Sequence, residues 1–384
     1  MRAGERMARV PEYVTAEMNR RIAAARAAGE DLISLGIGDP DLPPDLRIRA
    51  RLAEEVQRDD AARYPTNTGL PELREAVAAH YAARFGVEVD PQTEVLPLLG
   101  AKEGIAHLAL AVLDPGTVSL ITDPSYPVYA GGPLVAGAAS HPLPLTPANG
   151  FLPDLDRVPA EIAERARLAV CGYPNNPTGA IADAAFFDRL GAFADAHDLL
   201  ACHDHAYAEI AYDVVQAPSA LASPAFRANG IEILSLSKSF SIPGWRIAFA
   251  VGHAPAIALL ARLKTQIDAG MFIALQRTAT WMLTCDDLEG PPVGVYRARR
   301  DAACAALAAI GMPVDPPPGG MYLWVPIPTG ETSLAFAERV FDEAGVIVTP
   351  GTAYGEAGEG FARMALTIPE ERIAEAVQRI GAIL

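Results

Sequence analysis

The chain is poor in lysine. Its 384 residues carry 31 basic side chains, and only Lys102, Lys238 and Lys264 are lysines. A GC-rich coding sequence, which favours arginine and alanine, accounts for the scarcity but not for the positions of the three that remain. Chemistry that needs a side-chain amine is confined to these three. The four cysteines (Cys171, Cys202, Cys285, Cys304) show no Cys-x-x-Cys spacing. Neither a disulfide framework nor a cysteine zinc site is indicated, and buried free thiols are expected. No Lys/Arg run exceeds two residues and the formal net charge is −16, which argues against nucleic acid as a partner. No apolar run reaches the roughly 18–20 residues of a membrane helix. Met1–Arg9 carries charges with no apolar stretch behind it, so no signal peptide is visible and a cytoplasmic location is expected.

Prolines (33) and glycines (32) divide the chain into short elements. Helices are predicted at Ala101–Leu113, Ser125–Val135 and Ala182–His197. Strands are predicted at Thr117–Thr122, Arg167–Cys171, Leu199–His203, Ile231–Leu236 and Arg246–Val251. Apolar strands alternating with amphipathic helices imply an α/β fold, a mostly parallel sheet with helices on both faces. After about Asp287 the texture changes to a smaller α+β unit: helix Val293–Ile310, strand Met321–Pro326, helix Ser333–Ala344, strands Val346–Thr349 and Ala362–Thr367, and a final helix. One core stops growing near 250–300 residues, so two domains are expected: 1–43 as an N-terminal segment packing with the small domain through a helix at Val14–Ala28, 44–287 as the large domain, and 288–384 as the small one.

Several motifs fail on context. Gly36-Ile-Gly38 begins like a dinucleotide fingerprint, but Pro40, Pro43 and Pro44 leave no helix to receive a pyrophosphate. No phosphate loop ending in Gly-Lys-Ser/Thr and no Gly-x-Ser-x-Gly elbow occurs. His203-Asp204-His205 puts both histidines on one face of a strand, yet no third ligand stands at a supporting spacing, so no metal is expected.

The pattern that carries chemistry is distributed. Lys238 lies in Ile233-Leu-Ser-Leu-Ser-Lys-Ser-Phe-Ser-Ile-Pro-Gly-Trp-Arg246, where a strand ends among hydroxyls and a Pro-Gly turn leads to Arg246. Partial desolvation lowers a lysine's pKa and favours the neutral amine that forms Schiff bases. Tyr173-Pro-Asn-Asn-Pro-Thr-Gly179 and Asp204-His-Ala-Tyr207 also follow apolar strands, with 28 residues from Asn176 to Asp204 and 34 from Asp204 to Lys238. Taken singly, these read as a turn, a strand-end carboxylate and a surface lysine. Together they sit at carboxyl ends of strands, where open α/β sheets bind ligands.

With these residues in view, the chain resembles the fold-type-I, class I/II pyridoxal-phosphate aminotransferases from about Tyr13 to its C-terminus. The wording of Leu35-Gly-Ile-Gly-Asp-Pro-Asp-Leu-Pro43 and Asp123-Pro-Ser-Tyr-Pro-Val-Tyr129 is most similar to that of the LL-diaminopimelate group. The resemblance implies pyridoxal 5′-phosphate as cofactor, held covalently by Lys238, which then moves a proton at the substrate Cα. Asp204 would pair with the pyridine nitrogen. Asn176 and Tyr207 would hydrogen-bond the ring's phenolate oxygen, and Tyr126 would stack on the ring. The amides of Ala101 and Lys102 at a helix start, with Ser235, Ser237 and Arg246, would cradle the phosphate. Tyr64, in Arg63-Tyr-Pro-Thr-Asn-Thr-Gly69, would reach the neighbouring subunit's phosphate and make the active unit a homodimer. Arg363 would grip the substrate α-carboxylate, with Gly38 and Asn176 beside it.

Ala269 stands where that group usually has serine, and Ile273 replaces a more polar residue; both are expected at a distal pocket. Lys264 is read as structural. The implied partners are a small amino acid and a 2-oxo acid, with LL-diaminopimelate and 2-oxoglutarate first. Aspartate or N-succinyldiaminopimelate as donor, and a C–S lyase on the same fold, remain open alternatives. A DNA-binding regulator does not fit, because no helix-turn-helix precedes Gly36.

Overall fold

The computed structural model describes Gly4, residues 7–10, 16–212 and 216–384. The large sheet has seven strands, in the spatial order Val95–Leu98, Ala248–Gly252, Gly230–Ser235, Leu200–His205, Ala166–Gly172, Val118–Asp123, Ala139–Pro144. All pairings are parallel except those of Ala248–Gly252, which runs antiparallel to both neighbours. The central strands are buried on both faces, as a sheet covered on two sides requires.

Strand directions decide what gathers at one edge. The carboxyl ends of the parallel strands bring Gly100, Asp123, Gly172, Asp204 and Ser235 to the same side. The reversed strand brings its amino end there instead, and so delivers Arg246. That strand begins at Ala248 rather than at the expected Arg246, because Arg246 itself takes a left-handed φ of 61° at the end of a Pro243–Trp245 turn.

The expected helices and strands appear, with ends that local chemistry explains. The helix expected from Ser125 starts at Val128, after Pro127. The helix expected from Ala182 starts at Ala184, where the Asp183 side chain caps the Phe186 amide. Strand Leu200–His205 runs two residues past its expected end, so Asp204 lies within it. Val346–Thr349 is two strands: Val346–Ile347 pairs with Ile33–Ser34, and Thr349–Pro350 pairs with Ala362 and Arg363. The N-terminal helix spans Ala16–Ala27; Val14 and Thr15 of the expected helix lie outside the described residues. It packs Met18 and Ile22 into a core shared with Leu307, Phe336, Val340 and Val377, apart from the cores on either side of the large sheet.

Lys264 ends the helix Ala254–Lys264 with its side chain buried. Its Nζ donates to Glu103 Oε1 at 2.8 Å and Asp268 Oδ2 at 2.7 Å. Glu103 also accepts from the Leu99 amide at 3.0 Å, just before the helix Ala101–Val112. One buried ammonium thus ties that helix start to the turn at Asp268. Removing one member of a buried ion pair strands the other, so Lys264→Ala is expected to cost about 3 kcal/mol in urea unfolding.

Candidate active site

Apart from Tyr64, Ala269 and Ile273, the site residues named from the sequence line a single cavity of about 410 Å³ at the carboxyl edge of the large sheet. Lys238, Asp204, Tyr207, Asn176, Tyr126, Ala101, Lys102, Ser235, Ser237 and Arg246 come from the large sheet's strand ends and the loops and helix starts that follow or precede them. Gly38 comes from the N-terminal segment, and Arg363 from the strand Phe361–Ala365.

Lys238 sits in the single helical turn Leu236–Ser239, capped by Ser235, whose Oγ accepts from the Ser237 amide at 3.2 Å. Its Nζ donates to the Gly38 carbonyl at 2.7 Å. Burial pushes the ammonium below its ordinary range, helped by Arg363 and Arg246 and opposed by Tyr322 and Asp39. Asp204 lies on the floor of the cavity. Burial raises its carboxyl to about 6, although hydrogen bonds from Tyr129 Oη (3.0 Å to Oδ2) and the Ala206 amide (3.2 Å to Oδ1) work against the rise. A buried carboxylate so poised favours a cationic partner.

At the wall beside Asp204, the helix Ala101–Val112 opens with Gly100 at φ 99° and no side-chain cap. A Cβ on Gly100 would meet Arg246 Nη2 at 2.0 Å. Only glycine lets the guanidinium pack against the helix start, where backbone amides and a fork of N–H donors face one place.

Arg363 is almost wholly buried. Its Nη1 donates to Asn176 Oδ1 at 3.0 Å and its Nη2 to the Gly36 carbonyl at 2.7 Å, while Nε is buried with no hydrogen-bond partner. The guanidinium lies against two aromatic rings, with Cζ 4.0 Å from the Tyr322 centroid and 4.8 Å from that of Tyr354. A buried, unpaired Nε–H next to an Nη2–H is the edge on which a carboxylate docks bidentately.

Tyr64 is 90 % exposed and outside this cavity. Ala269 and Ile273 also lie outside it: Ala269 is exposed and Ile273 is packed at the start of its helix. The turn bearing Ala269 packs on the Tyr64 loop, where a Cβ on Gly270 would meet the Thr66 carbonyl at 2.8 Å.

Sequence reasoning misses Tyr129, Tyr322 and Tyr354. Tyr129 closes the Asp123–Tyr129 motif, which marks its position without giving it a role. Tyr322 and Tyr354 belong to no motif, and only the approach of the C-terminal unit brings them in.

The expected lack of a third ligand near His203 and His205 is corrected. Glu232, on the adjacent parallel strand, places Oε2 2.8 Å from His203 Nδ1 and Oε1 3.1 Å from His205 Nδ1. Linear spacing hides it, because strand pairing rather than sequence makes the neighbour. Its carboxylate already accepts from Tyr81 Oη, Ser219 Oγ and the Ala220 amide. Burial alone would raise it, but the two histidines hold it well below the ordinary range. The cluster reads as a buried charge network behind the sheet.

A covered α/β sheet whose carboxyl edge gathers a desolvated lysine, a buried aspartate and an arginine packed against two aromatic rings has the form of a small-molecule enzyme site. The sequence profile of aminotransferases class I and II matches residues 30–380. The chain is 46% identical over 390 residues to an LL-diaminopimelate aminotransferase of Moorella thermoacetica, covering 100% of this chain and 99% of that one. It is 46% identical to another from Desulforudis audaxviator, covering 99% and 97%. Among solved structures, substrate-bound BacF from Bacillus subtilis superposes with a TM-score of 0.95 at 33% identity, over 100% of this chain and 98% of that one. A probable N-succinyldiaminopimelate aminotransferase from Thermus thermophilus superposes with a TM-score of 0.89 at 36% identity, over 96% and 99%. The chain belongs to the class I and II aminotransferases, and its fold is fold type I.

A Cβ on Gly38 would fall 1.9 Å from Tyr322 Oη. Gly38→Ala is therefore expected to push Tyr322 away from Arg363 and lower kcat/KM at least about tenfold, with the thermal midpoint within a few degrees of the parent.

Proposed function

We propose that this aminotransferase uses pyridoxal 5′-phosphate bound through Lys238 to move the amino group of LL-diaminopimelate to 2-oxoglutarate, in amino-acid biosynthesis. The observation that carries the reading is the convergence of Lys238, Asp204 and Arg363 on one cavity, in a chain 46% identical along its whole length to LL-diaminopimelate aminotransferases.

The residues fit the cofactor. Asp204 is a buried carboxylate suited to a pyridinium, and Gly100 leaves the helix start open against Arg246 for a phosphate. Ser235 and Ser237 add hydroxyls on the same side. When bound, the cofactor supplies an electron sink for the substrate's Cα electrons.

The chain's own residues do the rest. Arg363 holds the α-carboxylate and so orients the Cα–H bond, an entropic contribution made before the chemical step. Lys238, its ammonium pushed below the ordinary range by burial, takes the proton from Cα and returns it on the other side of the exchange. Burial holds the Tyr207 phenol well above its ordinary range, so it stays protonated and donates. Asn176, fixed by Arg363, presents its amide beside it.

The Tyr64 loop and the turn after Lys264 form an exposed edge with Ile267 and Phe272. We read that edge as the contact with a second subunit, whose phosphate Tyr64 would reach, giving a homodimer with shared sites. Among the described residues no helix is long and apolar enough to cross a membrane, and the reading carries a cytoplasmic location.

The test is a half-reaction panel. The reconstituted protein should show a visible band that bleaches with LL-diaminopimelate and returns with 2-oxoglutarate, faster than with aspartate or N-succinyldiaminopimelate. Lys238→Ala should lose both the band's lysine-dependent shift and turnover; retained turnover would refute its role.

The pH dependence follows from Asp204. Its carboxyl is raised to about 6 in the folded chain, above the ordinary 3.9. The charged form, which pairs with a pyridinium, is therefore lost as pH falls through 6. Cofactor affinity should weaken below that point by up to about tenfold per pH unit, as read by fluorescence titration between pH 5 and 8.

A further inference from the structure

Tyr322 opens the strand Tyr322–Pro326 in the C-terminal unit, and its side chain is buried in the cavity wall. One side of its ring faces the Arg363 guanidinium, 4.0 Å from centroid to Cζ. Its hydroxyl lies 2.8 Å from that of Tyr207. The same hydroxyl fills the space over Gly38, whose carbonyl accepts from Lys238 Nζ. A single side chain thus touches the carboxylate anchor, the phenol that faces the cofactor oxygen, and the glycine that receives the lysine.

We propose that Tyr322 is a positioning residue that couples the substrate anchor to the cofactor: its ring fixes the plane of Arg363, and its hydroxyl donates to Tyr207. The proposal rests on the reading of Tyr207 and Arg363 given above.

The direction of donation follows from counting protons. Each phenol has one, and Tyr207 and Tyr322 share a contact in which either is able to donate. A Tyr207 that gives its proton to the cofactor's phenolate oxygen has only an acceptor to offer Tyr322. Tyr322 must then be the donor, and the chain Tyr322 to Tyr207 to oxygen polarises along its length. The charged groups that act on this pair are Arg363 and Asp204 on Tyr207, with Lys238 beside Tyr322 and Asp39 beside Lys238. They act through their fields, whereas Tyr322 makes the hydrogen bond to the Tyr207 hydroxyl.

The ring acts separately from the hydroxyl. Arg363 is anchored by one bond to Asn176 and one to Gly36, which leave the guanidinium free to tilt about that line. Two flat rings against the guanidinium, Tyr322 nearer than Tyr354, restrict the tilt and add cation–π attraction.

Two variants of the reconstituted holoenzyme separate these roles. Tyr322→Phe keeps the ring and removes the proton. The phenolate oxygen then receives a weaker hydrogen bond and binds a proton more tightly, so the pH midpoint of the visible absorbance change should rise by about half a unit. Tyr322→Leu removes the ring, and the KM for the amino donor should rise about tenfold, a penalty that Tyr322→Phe escapes. An unmoved midpoint in Tyr322→Phe overturns the hydroxyl's role, and equal KM penalties in both variants overturn the ring's. Tyr322→Phe preserves the packing volume, so its midpoint decides even where the leucine variant does not fold. A parent protein with no visible band would sink the cofactor reading itself; a parent with the band and variants indistinguishable from it would sink this proposal alone.

Discussion

The buried guanidinium of Arg363 is the constraint around which the rest is arranged. A charge taken out of water costs several kcal/mol unless its donors are met, and no single segment of the chain meets them here. Asn176 comes from a loop of the large sheet, Gly36 from the N-terminal segment, and Tyr322 and Tyr354 from the C-terminal unit. The parts of the fold are therefore held in register by this one buried group. Of its three nitrogens, only Nε is left without a partner. The lysine stands in the same relation to these parts, since the Gly38 carbonyl that receives it belongs to the N-terminal segment.

The opposite charge is handled on two levels of the same strand. Leu200–His205 sends Asp204 to the cavity and His203 and His205 to the other face. On the cavity side the carboxylate has few donors and is pushed towards neutrality, which suits it to a cationic ring. On the far side Glu232 collects donors from Tyr81, Ser219, Ala220 and His203 and stays ionised. Two buried carboxylates on adjacent strands thus have opposite characters, set chiefly by the two histidines, His205 and His203, beside Glu232.

Much of the site is legible in the order of residues alone. Lys238, Asp204 and Asn176 stand at strand ends because apolar strands in a covered parallel sheet read as short hydrophobic runs, and ligands gather where those runs stop. The glycines agree with that reading: Gly38 and Gly100 are places where a Cβ would strike Tyr322 or Arg246. What stays hidden is contact without local signature. Glu232 is a neighbour of His203 only by strand pairing. Tyr322 reaches Tyr207 across 115 positions. Ala269 and Ile273, placed near a substrate pocket by resemblance, lie outside this chain's own cavity and beside the Tyr64 loop, because the turn at Gly270 packs on Thr66.

The three lysines divide along the same line. Their number, and the setting of Lys238 among hydroxyls and a Pro-Gly turn, come from local order in the chain, since a strand end and a turn are made by neighbouring residues. That Lys264 is buried between Glu103 and Asp268, and that the antiparallel strand carries Arg246 to the edge where Gly100 makes room for it, were decided by the tertiary structure. Both depend on which elements pack together, and burial and strand direction are properties of that packing rather than of any one stretch of sequence.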